Sequence, residues 1–257
     1  MKPALPRRAH GVRQAARASQ PLVTGVSPMR DAEPTARPIL CDRRLRRHVE
    51  QALQAFDLQS ASTAHQHAAA VAVAIADEGH GAGLPGLARQ AGWSTRAALV
   101  LTRRSHALRH HAGQWALPGG RIEPSETAEQ AALRELAEEV ALALDASAVL
   151  GRLDDFVTRS GFVITPVVVW AGAARDMRPN PAEVRSIHRI PVDEFMRTDA
   201  PLLDRADGSA HPVLRMPVGD SWIAAPTAAI LYQFREVCIA GRPTRVGHFE
   251  QPSFAWR

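Results

Sequence analysis

The sequence predicts an α/β domain. Residues 68–76 (AAAVAVAIA), 97–102 (AALVLT) and 161–170 (GFVITPVVVW) are apolar runs of strand length. Residues 126–140 and 227–239 instead repeat apolar side chains at helical spacing. The two kinds of segment are interspersed along a chain of 257 residues, long enough for one sizeable domain with extensions or two small ones. A content of 46% hydrophobic and 22% charged residues is ordinary for a soluble globular protein.

Residues 1–40 carry Arg7, Arg8, Arg13, Arg17 and Arg30, several prolines and no acid before Asp31. Low aromatic content and absent periodicity predict a disordered basic leader. A transit peptide shares that composition, and a nucleic-acid contact is a third reading, but no aromatic residues interleave the arginines to stack on bases. Residues 41–62 form an N-terminal helical extension, with Leu45, Val49, Leu53 and Phe56 on one face.

Residues 63–240 form the main domain. The strands at 68–76 and 97–102 pair as a hairpin across a Gly-rich loop. Pro118, Gly119 and Gly120 make a tight turn that lets backbone approach a ligand. A helix starts near Glu126, with Ser125 as its N-cap and an apolar side of Ala132, Leu133, Leu136 and Val140. Residues 149–153 and 161–170 follow as strands, and Pro166 places part of the second at an edge or bulge. Residues 178–184 form a loop carrying Glu183, 192–196 a short helix, 212–216 a strand and 227–239 an amphipathic helix. The tail, 241–257, is irregular, with Phe249, Phe254 and Trp256 able to pack back.

Glu135, Glu138 and Glu139 stand at i, i+3 and i+4, which on a helix places them on one face. Like charges so stacked repel unless a cation sits over them, and hard divalent ions such as Mg²⁺ or Mn²⁺ take oxygen ligands. The formal charge is +5, and Lys2 is the only lysine. Arginine suits phosphate through its planar fork, although a solvated arginine-rich surface accounts for most of these residues. Cys41 and Cys238 are too few for a disulfide framework or a cysteine metal site. With no apolar run of membrane length and no secretory core at the N-terminus, the expected setting is cytoplasmic.

Gly120, Glu126, Arg134, Glu135, Leu136, Glu138, Glu139 and Leu142 stand in the register of one known signature. It resembles that of the Nudix hydrolases, with Ala141 where the family has glycine. That departure implies an altered helix exit or a longer helix, with the metal ligands intact. Just upstream, Leu101, Thr102, Arg104, Ser105, Arg109, Gly113, Pro118, Gly119 and Gly120 are similar to the motif of the coenzyme A pyrophosphatase branch, with Leu117 in place of an aromatic. Residues 164–170, 180–184 and the segment around Thr227 and Ala228 also resemble that branch.

The resemblance implies a Nudix α/β/α sandwich with a mixed β-sheet between helices. It implies hydrolysis of the diphosphate of coenzyme A or acyl-coenzyme A, yielding adenosine 3′,5′-bisphosphate and 4′-phosphopantetheine or its acyl form. Glu135, Glu138, Glu139 and the Gly120 carbonyl would hold Mg²⁺ or Mn²⁺. Arg134 would orient a glutamate, and Glu126 would be structural or an outer acid. The general base stays open among Glu138, Glu139 and Glu183. Arg104 and Arg109 would take the substrate's phosphates, including a 3′-phosphate, beside the Gly119–Gly120 turn. The enzyme rivals are hydrolysis of ADP-ribose, a dinucleotide or a nucleoside triphosphate. The rival of another class is a ligand-binding regulator that has lost catalysis. Adjacent His110 and His111 do not make a metal pair, and Ser105 lacks a triad. Trp93, Trp115 and Trp222 serve as adenine-stacking rings or as packing. The expected partner is a small molecule, with neither membrane nor nucleic acid, and the sequence leaves monomer or homodimer open.

Overall fold

A computed structural model describes residues 37–62, 66–108, 111–205 and 211–252. Nearly all of the basic leader, Phe254 and Trp256 lie outside them.

The organising element is the strand predicted at 68–76. It runs as β1 (His67–Gly79) after the N-terminal helix α1 (Arg43–Ala55). Its sequence alternates alanine with Val71, Val73 and Ile75, so its faces differ in bulk. Ala70, Ala72, Ala74 and Ala76 share one buried cluster with Ala131, Ala132, Leu136 and Val140. Val73 and Ile75 belong to the opposite core, with Leu45, Val49 and Leu53 of α1. A strand face of methyl groups brings the metal-motif helix close to the sheet.

The antiparallel partner β2 (Ser94–Arg104) makes the expected hairpin, with Ile75 opposite Leu99. Next come β3 (Trp115–Ala116), β4 (Gly119–Arg121) and α2 (Ala128–Val140). The chain continues through β5 (Val149–Arg152), β6 (Phe156–Val157), β7 (Phe162–Gly172), β8 (Val184–Pro191) and the short helix α3 (Val192–Phe195). A second sheet of β9 (Leu202–Arg205), β10 (Pro212–Val218) and β11 (Ser221–Ala224) precedes α4 (Thr227–Phe234), which ends in a π-helical turn, Arg235–Ile239.

The main sheet runs β3-β2-β1-β7-β5, with β4 on β1, β6 on β7 and β8 on β2. The β1–β7 pair is parallel and its neighbours are antiparallel, so the sheet is mixed. With α2 on one face and α1 and α4 on the other, it is the α/β/α sandwich expected above. Among the described residues no helix is long and apolar enough to cross a membrane. Cys41 and Cys238 are free thiols.

Three local expectations are corrected. Pro166 is neither at an edge nor in a bulge: β7 lies between β1 and the β5/β6 pair, and Pro166 stands opposite Val71. Its carbonyl accepts from Leu153 N–H in the gap between β6, which pairs with Val163 and Ile164, and β5, which pairs with Val167–Val169. A residue's N and O face the same side of a strand, so the missing donor falls in that gap.

Helix α2 starts at Ala128 rather than near Glu126, and Thr127 is its N-cap. The Thr127 hydroxyl accepts from Gln130 N–H, while the Gln130 side chain accepts from Thr127 N–H at 2.8 Å, a capping box. Ser125 sits in the preceding turn at φ 69°.

Ala141 neither lengthens the helix nor changes its exit. It takes the left-handed conformation, φ 55° and ψ 32°, that a glycine would take without Cβ strain. The N–H groups of Ala141 and Leu142 both reach the Leu136 carbonyl. The last two carbonyls of the helix, Glu139 O and Val140 O, accept from Asn180 N–H at 2.9 Å and Arg178 N–H at 3.0 Å. The loop carrying Glu183 is thereby fastened to the end of the helix.

Candidate active site

The site forms where α2 crosses the β4 edge of β1. Gly119 and Gly120 pair antiparallel with Val71 and Ala70. A Cβ on Gly119 would run into the Ala70 carbonyl, and one on Gly120 into the Glu135 carboxylate. Both glycines therefore serve close approach: the first lets β4 dock, and the second lets Glu135 lie against backbone.

The three glutamates divide. Glu135 and Glu139 are buried, whereas the Glu138 side chain is 56% exposed. Arg134 ties the cluster together. Its Nη1 donates to Glu135 at 2.9 Å and to Glu138 at 3.0 Å, its Nη2 donates to the Arg121 carbonyl, and Nε and Nη2 grip Glu126. Arg134 thereby touches Glu126, Glu135 and Glu138 at once. The Arg134 bonds hold the Glu126 carboxyl below its ordinary value and the guanidinium above its own.

Glu139 lacks such an arginine bond. Among the described residues it accepts only a long hydrogen bond from Gly119 N–H, 3.3 Å. Burial, and then the Glu135 charge, push its carboxyl up to about 8. Burial also raises Glu135, against the pull of Arg134. Two buried carboxylates that repel each other match the oxygen-donor chemistry of a hard divalent ion. Among the described residues no three His, Cys, Asp or Glu side chains converge as a metal cluster. Glu138 and Glu135 are turned toward Arg134 instead.

Glu183 is exposed, but its loop is anchored: its carbonyl accepts from Ser105 N–H at 2.8 Å, and its charge raises both Glu135 and Glu139. Arg104, at the end of β2, pulls the Glu139 carboxyl downward. Its Nε is buried with no hydrogen-bond partner among the described residues. Arg104 lines a cleft of about 270 Å³ that reaches Gly119 and Gly120. Arg109 and His110 lie outside the described residues.

The rest of that cleft was missed by motif reasoning. Thr158, Ser160 and Phe162 come from the β6–β7 turn, Ile230 from α4 and Gln251 from the tail. No spacing links these segments in the sequence, and only the fold brings them together. Of the tryptophans, Trp115 is buried in the cleft wall under the Arg103 guanidinium, 3.8 Å from its ring. Trp93 donates to Asp77 away from the cleft, and Trp222 is 38% exposed. Ser105 Oγ accepts from Ala107 N–H.

The NUDIX domain family model matches residues 87–212. The chain is 37% identical over 148 residues to the Pectobacterium atrosepticum protein named "Uncharacterized Nudix hydrolase NudL", covering 56% of this chain and 77% of that one. The chain belongs to the Nudix hydrolase family. The Nudix hydrolase NudL of Yersinia enterocolitica is 43% identical over 100 residues, 38% of this chain and 51% of that one. Nudix hydrolase 3 of Caenorhabditis elegans is 35% identical over 106 residues, 40% and 44% respectively. The match thus spans about half the length of these two relatives. The glycine turn and α2, with its glutamates, lie within the segment matched by the Nudix model.

Proposed function

We propose that this protein is a divalent-metal pyrophosphatase that splits the diphosphate of coenzyme A or its thioesters. The products are adenosine 3′,5′-bisphosphate and 4′-phosphopantetheine or its acyl form. The observation that carries this reading is Arg104: its buried Nε has no hydrogen-bond partner among the described residues, and it lines a cleft that also takes in Gly119 and Gly120. It belongs to the upstream pattern that resembles the coenzyme A branch.

Glu135, Glu138, Glu139 and the Gly120 carbonyl would hold Mg²⁺ or Mn²⁺. When bound, such an ion neutralises charge on phosphate oxygens and lowers the pKa of water. Arg104 and Arg109 bind phosphate oxygens through charge-assisted hydrogen bonds. Arg134 holds Glu135 in place, and the absent side chain of Gly120 leaves room for the Glu135 carboxylate. The proton of the attacking water goes to one of Glu138, Glu139 and Glu183. Two free thiols suit a reducing cytoplasm. The site is drawn from one chain, and both monomer and homodimer fit it.

The test is a panel of coenzyme A, acetyl-coenzyme A, ADP-ribose, NADH and nucleoside triphosphates with Mg²⁺ or Mn²⁺, products identified by mass. Coenzyme A or its thioester is expected to give the highest kcat/KM. A higher value for ADP-ribose or another nucleotide overturns the substrate, and no turnover of any of them supports the regulator instead.

A further inference from the structure

A second cavity of about 330 Å³ adjoins the main cleft, and the two share Gln114, Trp115, Pro226 and Thr227 as a common wall. Its charged lining residue is Arg103, and no carboxylate lines it among the described residues. Trp222, partly exposed, also lines it. Arg103 occupies the position that the upstream pattern leaves open to any residue, so the motif assigns it nothing.

The Arg103 guanidinium is set in place from one side. It lies 3.8 Å over the Trp115 ring, and Nη1 donates to the Gly113 carbonyl at 3.1 Å. Its Nε and Nη2 have no protein acceptor among the described residues, and no acid pairs with it there. A guanidinium has five N–H donors in a rigid fork, and two adjacent nitrogens left open suit one tetrahedral oxyanion. Burial, and then the charge of Arg185, lower its ionisation below the ordinary arginine value, so an arriving anion relieves an existing cost. The neighbouring Arg215 over Trp222 is already paired with Asp204.

We propose that this cavity holds the nucleoside end of the substrate, with a ribose 3′-phosphate on Arg103 Nε and Nη2 and the base beside Trp222. The proposal rests on the coenzyme A reading above and deepens it. The diphosphate then lies along the shared wall toward Arg104 and the glutamates, and the pantetheine arm follows the apolar side of the main cleft past Phe162 and Ile230. Arg103 becomes the residue that separates substrates bearing a 3′-phosphate from those without one.

The experiment is calorimetric binding of adenosine 3′,5′-bisphosphate and of AMP to the full chain in chelator, with coenzyme A hydrolysis measured in parallel. Wild type is expected to bind the bisphosphate about tenfold or more tightly than AMP, the scale of hydrogen bonds to a charged group. Arg103→Gln should bring the two nucleotides within about twofold of each other, and Arg103→Lys should recover part of the ratio. Trp222→Ala should weaken both nucleotides alike through lost stacking. A wild-type ratio near one, no binding of either nucleotide, or a ratio untouched by Arg103→Gln overturns the proposal. If Arg103→Gln does not fold, Arg103→Lys decides, because loss of the fork must still lower the ratio. Discriminating binding without coenzyme A turnover overturns the function reading alone. Turnover without discrimination overturns this one alone.

Discussion

Arg134 and Glu126 are joined by two hydrogen bonds, Nε to Oε1 at 2.9 Å and Nη2 to Oε2 at 3.1 Å. The fork pins the guanidinium across the first turns of α2, so that Nη1 meets both Glu135 and Glu138. The arginine of the signature is thus in contact with two of its glutamates. Lysine at 134 keeps a charge and loses the fork. Arg134→Lys is expected to lower kcat about 10- to 100-fold, the usual cost of losing an orienting partner, with KM nearly unchanged. A rise in KM at constant kcat would instead place Arg134 on the substrate.

Gly120 has no room for a side chain. Its Cβ would occupy the place of the Glu135 carboxylate, which has little freedom to retreat because it is buried and held by Arg134. Gly120→Ala should displace that carboxylate and reduce kcat/KM about 100-fold, the scale expected for an ångström of misplacement. The melting temperature should fall by only a few degrees, as for mild overpacking. Full activity in a folded Gly120→Ala variant would remove Glu135 from the site.

Glu139 makes the metal-free protein sensitive to pH. Its carboxyl is raised from 4.5 to about 8 by burial and by Glu135, so the native state holds a proton that the unfolded chain has released. Stability falls with pH wherever the native state binds more protons, so Glu139 costs stability progressively from about pH 4.5 to about pH 8. In chelator, Glu139→Gln should be more stable than wild type at pH 9, with the advantage vanishing near pH 4. Thermal melts across that range give the answer, and parallel curves for the two proteins would reject it. Metal affinity should rise with pH over the same window, because a ligand carboxyl must lose its proton.

Ala141 holds a left-handed backbone with a Cβ attached. That conformation costs about 1–2 kcal/mol, of which glycine returns part through its freer unfolded chain. Ala141→Gly should therefore stabilise the fold by about 0.5–1 kcal/mol and raise Tm by roughly 1–3 °C. Activity should be unaffected. A lower Tm would mean that the methyl group makes contacts that outweigh the strain.

At the other end of the same helix, Thr127 carries the cap. Thr127→Ala should cost about 1 kcal/mol in chemical denaturation. Ser125→Ala should stay within about 0.5 kcal/mol, as for a surface position without a capping bond. The reverse order would restore Ser125 as the cap.

The sequence alone determined what periodicity and spacing can encode. The apolar run at 68–76 marked a strand, the 3.6-residue repeat marked α2, and the signature register named the glutamates, Arg134 and the glycine turn. These are short-range patterns, and each survives in the fold because local geometry repeats. The misplacements were local choices, one settled by a near neighbour and the others by partners far along the chain. Thr127 wins the cap over Ser125 through Gln130, and Pro166 sits inside the sheet because β6 ends and β5 begins beside it. The left-handed exit at Ala141 goes with a loop that caps the helix from 40 residues on, through Asn180 and Arg178.

Tertiary structure alone decided which glutamates are buried, that the Glu135 carboxylate fills the space over Gly120, and that Glu138 faces solvent. It also built the cleft from the end of β2, the β6–β7 turn, α4 and the tail. Burial and charge repulsion depend on what the rest of the chain places nearby. A spacing rule can supply three carboxylates on one helix, but only packing sets their protonation and what they face.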